Sequence, residues 1–439
     1  MRRVLLAVGV GLALADSSIV TLALPRILGD FDVSITSVAW VLTSFNLVLA
    51  LVAVPAAYVS RRRPRTSFGA GVAVFAVASL VCGLAPEFGV LVGARCVQAV
   101  GAAFLVTAAL DLLSQLDGDQ GALRVWVAAG VLGAALGPAA GGVLTQVLGW
   151  ESIFLAQVPL ALALLLAVRG LTERSVAPPA GRPAIPANLA LLLVAGGLVA
   201  ALFLVVLLLV DGWGMSPAAA GVVVTVMPLV AIAVGRLRPR SVGVVQACAC
   251  GVILVAGGLA ALALMPHAGW GWTIPPQVLV GAGLGLTVGG LTELAVRDRP
   301  DQVVHGGWTL ASRHAGVVLG LLLLAPVLTS ALDESRDEAI RSGAAIVLDS
   351  RIAPLQKLGV AQDVLAEVDR SRDAGELPDV QRALAGRAAD DEQWTSLVSG
   401  LQDQLDRAVT SAFSGPFLLA AALALAALVP LAFVRRRPE

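Results

Sequence analysis

The sequence predicts an all-α integral membrane protein in which twelve transmembrane helices form two six-helix bundles. Three observations support this prediction. Hydrophobic residues make up 58% of the 439 residues, charged residues only 14%, and the mean hydropathy is +0.88. A water-soluble domain of this length does not have enough interior to hide that much apolar surface. The chain also contains twelve long apolar runs, and arginines cluster on every second connection between them.

The apolar runs, called spans 1 to 12 in chain order, can each cross ~30 Å of hydrocarbon as a helix, some with tilt. They cover residues 4–27, 36–59, 67–86, 88–112, 122–147, 151–169, 188–211, 217–235, 242–265, 272–296, 303–332 and 411–434. A Pro-rich linker at 171–187 separates six spans from six. The predicted domains are an N-terminal bundle at 1–170, this linker, spans 7 to 11 at 188–332, a polar segment at 333–409, and span 12 with its tail at 410–439.

The arginines predict the orientation of the chain. They are Arg2, Arg3, Arg61, Arg62, Arg63, Arg65, Arg124, Arg169, Arg174, Arg182, Arg236, Arg238, Arg240, Arg297, Arg299, Arg435, Arg436 and Arg437. All lie on one face, called here the arginine-rich face, which the positive-inside rule assigns to the cytoplasm. Both termini are then cytoplasmic, which requires an even number of spans. We expect a multi-pass protein of the plasma (inner) membrane.

The polar segment at 333–409 is chemically different from the rest of the chain. It holds 16 Asp and Glu against 9 Lys and Arg, whereas the remainder holds 14 against 21. Helix-spaced apolar residues predict a small helical segment on the extracytoplasmic side between spans 11 and 12, interrupted near Gly375 and Pro378. A disordered acidic loop is the alternative.

The stretch GLALADSSIVTLALP at residues 11–25 places Asp16 near the middle of span 1. The first 15 residues also resemble a secretory signal that would be cleaved after Ala15. Cleavage would leave an odd number of spans, so we assign Asp16 to the membrane. A carboxyl group there is by default a candidate functional site.

Several motifs resemble those of the major facilitator superfamily, and of its drug/proton antiporters in particular. They are the first-span stretch Asp16–Pro25, the fourth-span pattern with Arg95, Gln98 and Gly101, the fifth-span pattern Gly133–Gly142, the stretch Trp150–Phe154 with Pro159, and Ser312–Gly316. The resemblance extends in order over nearly all spans. It implies the major facilitator fold and transport of a small molecule across the bilayer.

Two departures accompany the resemblance. Family members carry Gly-x-x-x-Asp-Arg-x-Gly-Arg between spans 2 and 3, whereas this chain has Ala57 to Arg65, with Arg61 in place of the acid. That pattern is associated with holding the inner gate closed. The departure leaves undecided how firmly the inner gate of this chain closes. The most similar group also often has fourteen helices, and this chain lacks the extra central pair.

Asp16 and Arg95 are the candidate proton-coupling residues. Burial favours the neutral carboxyl group, whereas a nearby guanidinium favours the ionised form. If spans 1 and 4 meet, as the resemblance implies, Asp16 would load a proton outside and release it inside. A fixed buried ion pair that only orients the helices is the alternative.

The fifth-span pattern, Gly133, Gly137, Pro138, Gly141 and Gly142, is the candidate antiporter motif. Pro138 favours a kink, and the glycines permit close helix approach. The resemblance implies a seal against leak, and ordinary small-residue packing is the alternative.

Six further polar residues are candidates to line a central cavity: Asn46, Gln98, Gln157, Glu293, Arg313 and His314. Each has a structural alternative. Glu293 is a candidate partner for Arg313 but is also spaced i, i+4 from Arg297. For His314 and the amide side chains of Asn46, Gln98 and Gln157, hydrogen bonding between helices is the alternative.

No enzymatic site or cofactor is predicted, and protons are the expected coupling ion. A phosphate-binding loop of the Gly-x-x-x-x-Gly-Lys type is missing, which excludes ATP as direct energy source. Cys248 and Cys250 fit apolar packing better than metal binding. The basic clusters are short and juxtamembrane, so no nucleic acid is expected.

The leading hypothesis is therefore a proton-coupled exporter of lipophilic or amphipathic small molecules such as drugs. A proton symporter for a nutrient is one alternative. Another is a non-transporting scaffold or sensor whose 333–409 segment binds an extracytoplasmic protein partner. Substrate identity and oligomeric state are not determined by the sequence.

Overall fold

The computed structural model describes residues 1–173, 181–237, 241–265, 269–297, 299–349, 354–373, 383–384 and 392–434. Across these ranges the regular structure is helical, with no β-strand. Several residues discussed above lie outside the described ranges: Arg174, Arg238, Arg240, Gly375, Pro378, Arg435, Arg436 and Arg437.

The first half of the chain contains spans 1 to 6. Span 1 is helix Arg2–Thr21, followed by the short helix Leu24–Asp30. Span 2 is Ile35–Ser60 and span 3 is Pro64–Gly83. Span 6 is Glu151–Leu164, which continues as a 3-10 turn at Leu165–Val168.

Spans 4 and 5 belong to one long helical stretch, Phe88–Leu148, of 61 residues. At ~1.5 Å per residue a straight helix of this length would be about three times as long as the hydrocarbon is thick. The stretch is broken at Gly118, where φ is 68° and ψ is 167°. Only glycine adopts this backbone conformation readily, so Gly118 divides the stretch into residues 88–117 and 119–148.

The second half contains spans 7 to 12. They are Ile185–Leu207 with a π-helical turn at Leu208–Gly212, Pro217–Leu237, Val244–Ala263, Ile274–Val296 preceded by a 3-10 turn at Trp270–Thr273, the first part of Gln302–Asp349, and Ser414–Leu425 with Leu428–Ala432. Eleven helical stretches of the described chain are long and apolar enough to cross a membrane. Because Phe88–Leu148 makes two passes, the prediction of twelve spans is confirmed.

The outer surface of the spans is apolar. Leu51, Val77, Val147 and Val222 are each more than 60% exposed. Such side chains would be unfavourable in water but are suited to contact with lipid tails. Polar side chains are instead concentrated inside the bundles, where they form the sites described below.

The segment between spans 11 and 12 is helical where it is described. Helix Gln302–Asp349 continues well beyond the length needed to cross the membrane, and Pro354–Asp373 and Glu392–Ala412 follow. A small apolar core holds these helices together and consists of Val347, Val360, Leu384, Leu397 and Leu401. The expected helical segment is therefore present. The domain boundaries assigned from sequence remain predictions.

Candidate functional site

Asp16 lies inside the first six spans and is fully buried, at 0% exposure. Its Oδ2 atom accepts a hydrogen bond from Nη1 of Arg95, which is also 0% exposed. The two residues therefore form an ion pair between spans 1 and 4 with no contact to solvent. Isolated charges at this depth would be strongly destabilising, so each residue compensates the other.

Besides Asp16, four residues contact Arg95. Its Nε atom donates to the Val41 carbonyl at 3.1 Å, and Nη1 also donates to Oε1 of Gln98 at 2.7 Å. The guanidinium lies over the Phe45 ring at 4.2 Å and the Phe154 ring at 5.6 Å. The planar, delocalised cation suits this mixture of hydrogen bonds and ring contacts.

Two glutamines make the other polar contacts of Asp16. Gln157 Nε2 donates to Asp16 Oδ1 at 3.0 Å, and Gln98 Nε2 lies 3.4 Å from the same oxygen. Gln98 Nε2 also donates to Ser79 Oγ at 2.8 Å and to Gln157 Oε1 at 3.0 Å. Asp16, Ser79, Arg95, Gln98 and Gln157, called here the Asp16 cluster, are all at most 2% exposed. Asp16 is therefore surrounded by hydrogen-bond donors from Arg95, Gln98 and Gln157.

A polar contact between span 2 and span 11 joins the two groups of six spans. His314 Nδ1 in span 11 lies 2.6 Å from Oδ1 of Asn46 in span 2. Asn46 also accepts a bond from Ser17 Oγ at 3.3 Å and donates to the Leu42 carbonyl at 2.7 Å. His314 Nε2 is buried without a hydrogen-bond partner in the described part of the chain. Ser17 follows Asp16 directly, so this contact connects span 11 to the neighbourhood of the Asp16 cluster.

The glycines of span 5 lie against spans 1 and 8. A Cβ atom at Gly133, Gly137 or Gly141 would overlap atoms of span 1: the Gly11 carbonyl, the Ser18 hydroxyl and the Ile19 carbonyl, respectively. A Cβ at Gly142 would overlap the Pro217 carbonyl of span 8, and one at Gly221 would come within 2.7 Å of the Pro138 carbonyl. The two six-span groups therefore touch backbone to backbone on the half of span 5 away from the arginine-rich face.

A cavity of about 510 Å³ lies on the other half of span 5, between it and spans 7, 8, 10 and 11. Its wall is mostly apolar, and exposed Arg124, Arg236 and Arg297 lie at its arginine-rich end. Glu293 also lines the cavity and forms a salt bridge with Arg297. The i, i+4 pair considered from sequence is therefore present.

Arg313 lies on the cavity wall as well. Within the described ranges no hydrogen bond or salt bridge involves its guanidinium, and Glu293 forms a salt bridge with Arg297. Its Nη1 atom lies 4.0 Å from the position that a Cβ atom of Gly130 in span 5 would take. The guanidinium therefore comes close to the backbone of span 5.

The six candidate cavity residues thus fall into three places. Glu293 and Arg313 line the cavity, Gln98 and Gln157 belong to the Asp16 cluster, and Asn46 and His314 form the contact between spans 2 and 11. Sequence reasoning missed Ser79, because a single serine in an apolar run carries no distinguishing pattern. It also missed Asp301, although an acid just before an apolar run is typical of a helix start.

Arg61, which replaces the acid of the family pattern, forms a salt bridge with Asp301. Arg61 Nε and Asp301 Oδ2 are 3.1 Å apart, and the side chains are 11% and 3% exposed. Asp301 Oδ1 also accepts a bond from the Val304 amide at 3.2 Å and so caps the start of span 11. The loop after span 2 is therefore attached to span 11 by a salt bridge in which the loop supplies the cation.

A helical membrane protein of two six-span groups, with a cavity between them and a buried ion pair within the first group, has the architecture of a secondary transporter fold. The family model of the Major Facilitator Superfamily matches residues 6–332. The chain belongs to this superfamily.

Relatives and solved structures agree with this assignment. Over 180 residues the chain is 37% identical to the drug efflux pump JefA of Mycobacterium tuberculosis, covering 39% of this chain and 35% of the relative. Over 235 residues it is 37% identical to the puromycin resistance protein pur8 of Streptomyces alboniger, covering 52% and 45%. The multidrug efflux pump LfrA of Mycolicibacterium smegmatis is 36% identical over 169 residues, covering 37% and 33%. The chain thus spans about a third to under a half of the length of these relatives.

A solved structure shares the whole fold. An inward-facing, occupied structure of a bacterial homologue of the human lysosomal transporter Spinster aligns with a TM-score of 0.66 at 18% identity, covering 100% of this chain and 98% of the other. Identity this low establishes the fold alone.

Proposed function

We propose that the protein is a proton-coupled secondary transporter that exports lipophilic or amphipathic small molecules by alternating access. The observation that supports this most directly is the pairing of two separate sites. A buried, ion-paired carboxylate lies within the first six spans, and a separate, largely apolar cavity lies between the two groups of spans. The names of the relatives, which describe drug efflux and drug resistance, support the substrate class and the direction.

Asp16 carries the proton in this proposal. In the conformation described here Asp16 is paired with Arg95 and sealed from water. Binding of a proton to a carboxylate oxygen removes the negative charge and weakens the pairing, which leaves Arg95 with a less compensated buried charge. A conformation that hydrates the cluster is then favoured. The proton enters from the outer side and leaves to the cytoplasm when the pair forms again.

The cavity carries the substrate. It reaches the arginine-rich face, which is the cytoplasmic face in this proposal, while the glycine contacts of span 5 with spans 1 and 8 close the opposite half. Export requires those contacts to separate and the arginine-rich end to close. Because backbone contacts through Gly142 and Gly221 involve no long side chains, they can part and re-form as rigid surfaces.

Transport by purified protein in liposomes tests the proposal. A panel of lipophilic drugs and dyes is added outside vesicles whose interior is acidic, and uptake is measured. In an antiporter, protons leaving the vesicle drive substrate inward. Uptake only when the exterior is acidic would instead indicate a symporter for an imported nutrient, and no uptake of the panel under either gradient would contradict the proposal and favour the scaffold hypothesis.

A further inference from the structure

The position of Arg313 defines the substrate class more narrowly than the apolar wall does. Arg313 is roughly 16 Å along span 11 from Gln302, counted at ~1.5 Å per residue, which is near the middle of the membrane. Its guanidinium is on the cavity wall and has no hydrogen bond or salt bridge to any residue that the structure describes. A cation at this depth normally has a partner, because it is costly to bury alone.

The remaining charges of the cavity are also mostly positive. Among the residues that the structure describes, its lining contains Arg124, Arg236, Arg297 and Arg313 against a single acid, Glu293, and that acid is salt-bridged to Arg297. The field inside the cavity therefore attracts anions and opposes cations. Low-dielectric walls increase this effect, because the surrounding side chains screen charge poorly.

We infer that the transported molecule carries an anionic group, such as a carboxylate, sulfonate or phosphate, that pairs with Arg313. The planar guanidinium offers two parallel N–H donors to such a group. The apolar body of the molecule lies against residues such as Leu198, Leu202 and Met227, which line the same cavity. The substrate class is thus an amphipathic organic anion. This inference rests on the proposed function of the cavity as the transport site.

Binding of two fluorescent probes that differ by one sulfonate group tests the inference. Anilinonaphthalene sulfonate and phenylnaphthylamine share one ring system, and only the first carries a sulfonate. Both are titrated by fluorescence into protein in lipid nanodiscs, with the signal of empty nanodiscs subtracted. We expect wild-type protein to bind the sulfonate more tightly, and Arg313→Gln to weaken sulfonate binding by ~10-fold or more while binding of the neutral probe stays nearly unchanged.

Two further variants separate a specific pairing from general electrostatics. Arg124→Gln removes an exposed cation at the rim of the same cavity and should weaken sulfonate binding much less than Arg313→Gln does, because water and salt screen an exposed charge. Arg313→Lys keeps the charge without the planar fork and should bind with intermediate affinity. If Arg313→Gln does not fold, the wild-type preference for the sulfonate over the neutral probe, and its reduction in Arg313→Lys, still decide the question.

Equal affinity of wild type and Arg313→Gln for the sulfonate would overturn the inference. So would equal affinity of wild type for the two probes, or tighter binding of tetraphenylphosphonium, a lipophilic cation, than of the sulfonate. Failure here is distinct from failure of the proposed function. A protein that transports neutral drugs against protons but binds the sulfonate independently of Arg313 would refute only the anion inference. Arg313-dependent binding without proton-driven uptake would refute only the transport proposal.

Discussion

Arg61 after span 2 and Asp301 before span 11 form a salt bridge of 3.1 Å in which both side chains are largely buried. The pair joins the two six-span groups on the arginine-rich face. The loop pattern of the family places an acid where this chain has Arg61, so a basic loop residue here meets an acid on the partner span. The sequence departure therefore changes the chemistry of this contact and does not remove it.

Breaking this pair should make the cavity more accessible from the arginine-rich face. Asp301→Asn removes the charge but keeps a side chain that can cap span 11, since Asn and Asp cap helices about equally well. We expect a cysteine placed at Val131, on the cavity wall, to react several-fold faster with a water-soluble thiol reagent in this variant, once the four native cysteines are replaced. Arg61→Gln should have the same effect.

The double variant provides the control for that prediction. If the two residues act as a pair, Arg61→Gln with Asp301→Asn should react no faster than either single variant. Additive increases would show that each residue acts separately, and unchanged labelling in all three would contradict a role for the pair in closing this face.

Enlarging the glycines of span 5 should weaken the contact between the two groups of spans. Gly142→Ala would place a Cβ atom on the Pro217 carbonyl, which only a backbone shift can relieve. We expect a lower unfolding temperature and reduced transport. Gly93→Ala is a matched control in span 4, because nothing lies within 4 Å of the added Cβ. Alanine there should be neutral or stabilise the helix by ~0.5–1 kcal/mol. Equal behaviour of the two variants would contradict the packing argument.

Removing one member of the buried ion pair should be more harmful than removing both. Arg95→Gln leaves the Asp16 carboxylate without its cation, which costs ~3–5 kcal/mol for buried pairs in proteins. Asp16→Asn combined with Arg95→Gln removes both charges, so we expect the double variant to recover part of the lost thermal stability. Thermal unfolding in detergent checks this order. A double variant less stable than Arg95→Gln would contradict it.

Export should survive loss of the helical segment between spans 11 and 12. Most of the segment packs on a small core of its own, and only its last turn, with Leu405 and Val409, packs against the core of the spans. Thr410, which accepts a bond from Trp213 Nε1 at 3.1 Å, lies just beyond its end. A variant in which a Gly/Ser linker replaces residues 333–409 should therefore still take up substrate. Complete loss of transport in a variant that folds would favour the scaffold or sensor hypothesis.

Much of the architecture was predictable because lipid imposes a simple rule. Each crossing requires about 20 apolar residues and satisfied backbone groups, so composition and arginine spacing were sufficient to define twelve spans. The contact between Asp16 and Arg95 was expected only through the family resemblance, since the two residues are far apart in sequence and periodicity does not pair helices.

The details of the site depend on tertiary packing that no local pattern encodes. Gln98 lies one helical turn after Arg95, so its place beside that residue follows from spacing. Gln157 comes from span 6, and its bond to Asp16 depends on how spans 1 and 6 meet. The separation of Asn46 and His314 from the cavity likewise depends on the packing of span 2 against span 11.

Proton flux through Asp16 is the most direct test of the account. Internal pH is followed under an imposed inward proton gradient in proteoliposomes with and without substrate loaded inside, for wild type, Asp16→Asn and Asp32→Asn. Asp32 is an exposed loop residue with φ of 50°, a conformation that asparagine tolerates, so its variant is a matched control. We predict substrate-dependent acidification in wild type and Asp32→Asn and none in Asp16→Asn. Equal acidification in all three proteins would contradict the assignment of Asp16 as the proton carrier.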